Sequence, residues 1–171
     1  MADAADVCWE LMVMAEEVER PVRIPPRWFI STAWRAHRAL YRVTRGRKGL
    51  WSPANKRGWG ALWLSTVGRR SGQDRAVIVG YLEDGPDLVL LAMNGWGEGE
   101  PAWWLNLQAN PAATVHPADR PPTQVLAHET HGEERDRLWA LWRTIEPKLD
   151  KYAALRSTPT AVIVLTRVSR T

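Results

Sequence analysis

One cysteine, Cys8, and one phenylalanine, Phe29, are all that 171 residues hold of either type. A lone cysteine excludes an internal disulfide framework and fits a reducing, cytoplasmic setting. No apolar run approaches the roughly 20 residues that cross a bilayer as a helix. The opening stretch MADAADVCWELMVMAEEVER is acidic, without the basic and apolar regions of a secretory leader. Carboxylates are scarce in a different place: from Arg20 to Arg57 every charged side chain is Arg or Lys. Nucleophilic machinery is missing too, with no nucleophile-elbow sequence and no base beside Cys8. His128 and His131 have a ligand-like spacing but no third ligand nearby, which argues against a metal. With hydrolytic and metal chemistry set aside, a reaction here would draw its reactive atom from a cofactor.

What is abundant is tryptophan, eleven residues against three tyrosines. Its flat face serves a core, a planar ligand or a lipid interface. The net charge of +4 is modest, but the basic block favours an anionic partner such as a phosphorylated cofactor or a membrane surface. It also fits a solvated basic face. It matches no nucleic-acid-binding motif, so no nucleic acid is expected. The length fits a single domain with a real core.

Along the chain, residues 1–26 read as a short helix and a proline-rich linker. Residues 27–58 read as a basic amphipathic helix (27–45) and a Gly/Pro-containing loop. That helix suits either packing on the rest of the protein or peripheral membrane contact. From 59 to 171 the pattern is mostly β: strands at 59–66, 75–82 and 87–93, then 112–116 and 123–129, and last 160–168. A short helix is expected between Pro101 and Pro111, with Trp103 and Trp104 facing different ways. A longer helix follows Thr130-His131-Gly132-Glu133, which has capping-box spacing, with Leu138, Leu141, Trp142 and Ile145 inward. Six short strands with few helices argue for an antiparallel six-stranded β-barrel in an α+β chain.

The connection TVGRRSGQDR, residues 66–75, holds the most chemistry. A turn needs glycine but not three like charges, and arginine forks bind phosphate or carboxylate in two-point fashion. Arg69, Arg70, Ser71 and Arg75 therefore read as a grip for an external anion, against the plainer reading of a charged surface hairpin. The loop NGWGEGE carries Glu98 and Glu100 and is no phosphate loop; its glycines let backbone approach a planar ring, or simply make a flexible loop.

Taken together, LWLSTVGRRSGQDR, YLEDGPDLVLLAMNGW, EPAWWLNLQANPAATV, HGEERDRLWALWRTIEP and TAVIVLTRV resemble the deazaflavin-dependent nitroreductase and F420-dependent quinone reductase family. The resemblance spans about residues 59–168. It implies an FMN-binding-like split β-barrel that binds coenzyme F420 and transfers a hydride to an electron-poor acceptor, a quinone or nitro compound. By position it implies that Arg69, Arg70, Ser71 and Arg75 hold the phosphate-and-glutamate tail. Ala76, Val77, Leu91, Ala92, Met93 and Asn94 would border the cofactor, with Ala102, Trp103 and Asn106. Gly80, Met93, Leu149 and Tyr152 would line the acceptor pocket. Some relatives have a hydroxyl and a lysine at Met93 and Asn94, and tyrosines at Gly80 and Leu149. The pocket here is thus expected to be apolar and to suit a small apolar acceptor. The alternatives are an FMN-dependent oxidoreductase on the same barrel and a non-catalytic F420 or lipid carrier. A homodimer is expected by analogy with the barrel class.

Overall fold

A computed structural model describes residues 50–54 and 58–168, together with Thr32. The helices expected near the N-terminus, including the basic helix 27–45 and its membrane contact, lie outside the described residues. No helix among the described residues is long and apolar enough to cross a membrane.

Six antiparallel strands close into a barrel in the order β1-β2-β3-β6-β5-β4. They are β1 (Gly60–Val67), β2 (Asp74–Asp84), β3 (Asp87–Leu91), β4 (Ala112–His116), β5 (Thr123–Glu129) and β6 (Val162–Arg167). Pairing of β1 with β4, from Trp63↔His116 to Thr66↔Ala113, shuts the cylinder. The expected split β-barrel of α+β class is therefore present. A short 3-10 turn (Asn94–Trp96) and three helices join the strands: α1 (Ala102–Ala109), α2 (Gly132–Ile145) and α3 (Leu149–Ala153).

Strand periodicity explains where the core sits. Alternate residues point inward, so Leu62, Leu64, Tyr81, Leu88, Leu90, Ile163 and Leu165 fill the barrel. Strands β3 and β6 are apolar on both faces because α2 covers them outside. There Leu138 and Trp142 pack on Val89, Leu91, Val162 and Val164. Each fully buried leucine or valine contributes about 1.5–3 kcal/mol.

Two local expectations are corrected. Thr130 does not cap α2: no side-chain cap bond forms at its N-terminus. The Thr130 hydroxyl donates instead to the Val162 carbonyl at 3.2 Å, and its backbone N–H donates to the same oxygen at 2.9 Å. Continuing the β5–β6 ladder takes precedence over the cap. The stretch read as a loop before β1 also contributes to the sheet edge. Trp51 exchanges backbone bonds with Ala61 at 3.2 and 2.8 Å, and its ring meets Trp59 edge-on at 4.9 Å.

One seam of the barrel opens. The β2–β3 hairpin turns at Gly85 (φ +59), and its register runs from Asp84↔Asp87 to Leu82↔Val89 and stops. Residues flanking a two-residue hairpin loop exchange both backbone bonds, and the direction alternates along the strand. Ala76, Ile78 and Gly80 therefore aim N–H and C=O away from β1, along a stretch of β2 that β3 does not reach.

Candidate functional site

A cleft of about 860 Å³ occupies this seam. The turn between β1 and β2 forms one wall, β2 from Arg75 to Gly80 the floor, and the Met93–Gly97 loop with the start of α1 the rest.

The arginine turn is built by its glycines. Gly68 donates to the Gln73 carbonyl at 2.8 Å, and Gly72, at φ +64, donates back to the Gly68 carbonyl at 2.8 Å. A side chain at Gly68 would lie 3.0 Å from the Gln73 carbonyl and the Ser71 hydroxyl. The loop this tight geometry makes leaves Arg69, Arg70, Ser71 and Arg75 exposed along the cleft. Ser71 Oγ accepts from Arg75 Nη2 and from the Gln73 backbone N–H, both at 3.4 Å.

Among the described residues, neither Arg69, Arg70 nor Arg75 pairs with a carboxylate, whereas Arg120, Arg135, Arg137 and Arg143 all do. Asp74 is the one acidic side chain along the described lining. Three like charges on one short turn, with Asp74 the one acid beside them and in no ion pair with them, repel unless an outside anion sits among them.

Asn106 explains how the turn is held. Its side-chain oxygen accepts the Arg69 backbone N–H at 3.2 Å and lies 3.5 Å from Arg69 Nη1. Its Nδ2 donates to Thr66 Oγ1 at 3.2 Å, and that hydroxyl donates to the Arg75 carbonyl at 3.4 Å. The side chain is buried, so these bonds dominate its behaviour. Asn106 lines the cleft, yet its polar atoms are spent on the protein.

The other expected residues divide cleanly. Ala76, Val77, Gly80, Leu91, Met93, Asn94, Ala102 and Trp103 all line the cleft. Of the two tryptophans in α1, Trp103 faces the cleft and Trp104 is buried in the barrel, as helical geometry demands. Ala92 is not a wall: its side chain is fully buried in the barrel core, because it points inward like Leu90 two residues before it. Leu149 is not a wall either. It lies buried beneath α2 with Leu138 and Trp142, since α3 turns its first residue toward the outer core. Tyr152 reaches the cleft only at second hand, stacked on Trp96 with ring centres 5.3 Å apart and planes 15° apart.

The loop wall, which the sequence shows only as glycine-rich, has an unusual backbone. Asn94, Gly95 and Trp96 all have positive φ, at 44°, 62° and 62°. Asn94 Nδ2 donates to the carbonyls of Glu98 and Gly99 at 2.8 and 3.3 Å, closing the loop on itself. Glu98 accepts the backbone N–H and the hydroxyl of Ser157 at 2.9 and 2.7 Å, and that hydroxyl above all holds its carboxyl below the usual range. Behind the loop lies Arg156, a buried arginine whose local sequence, ALRSTP, looks like any solvated one.

The result is an open recess with guanidinium groups on one rim and apolar walls within. No titratable side chain lines it away from the arginine turn among the described residues. Such a site suits a ligand with a flat, weakly polar ring and an anionic tail. Among the described residues it offers no acid, base or nucleophile between its apolar walls.

The chain resembles proteins of matching chemistry. A family model described as F420H(2)-dependent quinone reductase matches residues 33–167. An F420H(2)-dependent quinone reductase of Mycobacterium tuberculosis (strain ATCC 25618 / H37Rv) is 30% identical over 135 residues, spanning 78% of this chain and 89% of that protein. Among solved structures, an F420-H2 dependent reductase is 26% identical with a TM-score of 0.55, covering 61% of this chain and 92% of its own. Another, described as a domain-swapped dimer, is 24% identical with a TM-score of 0.59 over 79% of this chain and 98% of that one, and shares the fold.

Proposed function

Given that this chain belongs to the F420H(2)-dependent quinone reductase family, an oxidoreductase family whose cofactor is F420, we propose that it reduces a small apolar quinone in the seam between β2 and β3. The observation that carries this reading is the trio Arg69, Arg70 and Arg75, exposed along the cleft and without a carboxylate partner among the described residues. F420 carries a phosphodiester and several carboxylates on a flexible tail, and a single flavin phosphate would leave most of this charge unused.

In this reading Arg69, Arg70, Arg75 and Ser71 bind the tail. Ala76, Val77, Leu91, Met93, Asn94, Ala102 and Trp103 border the ring, and Asn106 serves by fixing the turn. The backbone N–H and C=O groups that Ala76, Ile78 and Gly80 aim into the seam offer hydrogen bonds to the ring's polar edge. When bound, reduced F420 supplies a hydride to the acceptor. Hydride transfer depends on distance and alignment, and the residues present contribute those rather than acid–base chemistry. Met93, Gly80 and Trp96 make the acceptor side apolar and exclude water from one face. With no acid or imidazole among the described residues on that side, protons reach the acceptor oxygens from solvent through the open mouth.

The test is a titration of the purified protein with F420 and with FMN, followed by oxidation of reduced F420 with menadione. Preferential F420 binding, weakened by Arg70→Ala and Arg75→Ala, together with menadione turnover, is the expected result. Tight FMN binding without F420 binding would overturn the proposal, and F420 binding without turnover over a broad quinone panel would reduce it to a carrier.

A further inference from the structure

Arg156 is 7% exposed, and each hydrogen bond of its guanidinium goes to a neutral oxygen, while the carboxylates of Glu98 and Glu100 act on it from further off. Nε donates to the Gly97 carbonyl at 3.0 Å and Nη2 to the Gly99 carbonyl at 2.9 Å. Nη1 donates to the Ala92 carbonyl at 2.9 Å and to Thr160 Oγ1 at 2.6 Å. Among the described residues it makes no ion pair. Burying a cation on neutral acceptors is costly unless its donors are well used, and here three of the four acceptors are carbonyls of one loop. That loop runs from the end of β3 through the cleft wall.

The same loop holds the least relaxed backbone at the cleft. Trp96 sits at φ 62, a conformation a bulky L-residue rarely adopts, and its carbonyl neighbour Gly97 is held directly by Arg156. Trp96 also lines the cleft and stacks on Tyr152, four residues before Arg156. The segment 152–157 thus meets the loop three times: through the ring stack, the guanidinium fork and the Ser157–Glu98 bonds.

We propose that Arg156 is a positioning residue for the acceptor side of the cleft, holding the Met93–Gly99 loop, and through it the Trp96 ring, in the geometry that receives the acceptor. It rests on the quinone-reductase reading for what the wall receives, but the clasp itself is a property of the chain. Only a planar fork of several donors satisfies diverging carbonyls at once; lysine keeps the charge and loses the fork.

The experiment compares wild type with Arg156→Lys by amide hydrogen exchange, F420 titration and menadione kinetics. Exchange across 93–99 should rise about tenfold or more while the barrel strands keep their protection. The KM for menadione should rise about fivefold or more, and by a larger factor than F420 affinity falls, since of the loop only Met93 and Asn94 also border the ring. In a Trp96→Gly background, where positive φ carries no penalty, Arg156→Lys should raise loop exchange by a clearly smaller factor. Unchanged exchange in the loop, a uniform rise over the whole barrel, or an equal rise in the Trp96→Gly background would overturn the proposal. If Arg156→Lys does not fold, Glu98→Ala at the exposed end of the clasp supplies the test. Exchange rising about threefold or more in the loop supports it, and no rise overturns it. A wild type that binds no F420 sinks the functional reading while the exchange result still decides the clasp; normal F420 turnover with an unresponsive loop sinks the clasp alone.

Discussion

The side-chain oxygen of Asn106 accepts the backbone N–H of Arg69 at 3.2 Å, joining helix α1 to the arginine turn across 37 residues of sequence. The bond makes the cationic rim part of the rigid barrel rather than a loose hairpin. Replacing Asn106 by alanine strands the Arg69 N–H and deprives Thr66 of a donor in a buried setting. The expected loss is about 1–3 kcal/mol of unfolding free energy, read as a lower urea midpoint at unchanged slope. F420 binding should weaken at the same time. A variant with wild-type stability and wild-type affinity would show that the turn holds its shape unaided.

Exposed guanidinium groups act on a charged tail through a screened interaction. Affinity for F420 should therefore fall as salt rises from 0.05 to 0.5 M, a range over which the Debye length shortens about threefold. Arg70→Ala and Arg75→Ala should each weaken binding about fivefold at low salt and flatten the salt dependence. Fluorescence titration of the deazaflavin reads both. Salt-independent binding would contradict the assignment.

Gly60 tests the packing at the end of β1 away from the arginine turn. A β-carbon there would lie 2.4 Å from the Tyr81 ring and 2.7 Å from Pro53. Tyr81 is fully buried and cannot yield. Gly60→Ala should cost about 1–3 kcal/mol through overpacking alone, seen as a lower Tm. Gly72→Ala has open space around it but must keep φ +64, so any loss there is conformational rather than steric.

Glu100 gives a pH dependence of defined sign. Its Oε2 is buried without a partner, and burial raises its carboxyl above 4.5, with Arg156 opposing and Glu129 adding to the rise. A carboxyl that holds its proton more tightly when folded contributes stability below its unfolded pKa. That contribution disappears as pH rises through the folded value. Glu100→Gln removes the titration, so the variant should be the more stable at pH 7, and the two proteins should converge below pH 4.5. Urea midpoints measured across that range check it; a variant less stable than wild type at pH 7 would contradict the sign.

Much of the fold is legible in the sequence because strand period and turn chemistry are local. The apolar runs DLVLL and AVIVL read as strands, and both are present, with α2 covering their outer face. The division of labour between Trp103 and Trp104 follows from helix geometry alone. Thr130 reads as a cap in the sequence because a capping box and a strand end can carry the same residue types at the same spacing, and a neighbouring strand decides between them. The family resemblance implies a pocket position for Leu149 and Ala92, but inward alternation and the start of α3 take their side chains elsewhere. Arg156 left no trace at all. Three of its four partners are backbone carbonyls 57 to 64 residues away, which any sequence supplies, and the fourth is the Thr160 hydroxyl four residues on.

The gap between β2 and β3 has a consequence beyond ligand binding. A run of unpaired strand is a template on which another copy of the chain can add its own strand. Here that run is short, sunk in a recess and overlooked by cationic side chains, which push an approaching copy away. Neutralising Arg69, Arg70 and Arg75 together would remove this guard, so self-association on storage, and not lost catalysis alone, is what the triple change should bring. The same charges that draw in an acidic carrier would then also be what keeps the molecules apart when none is bound.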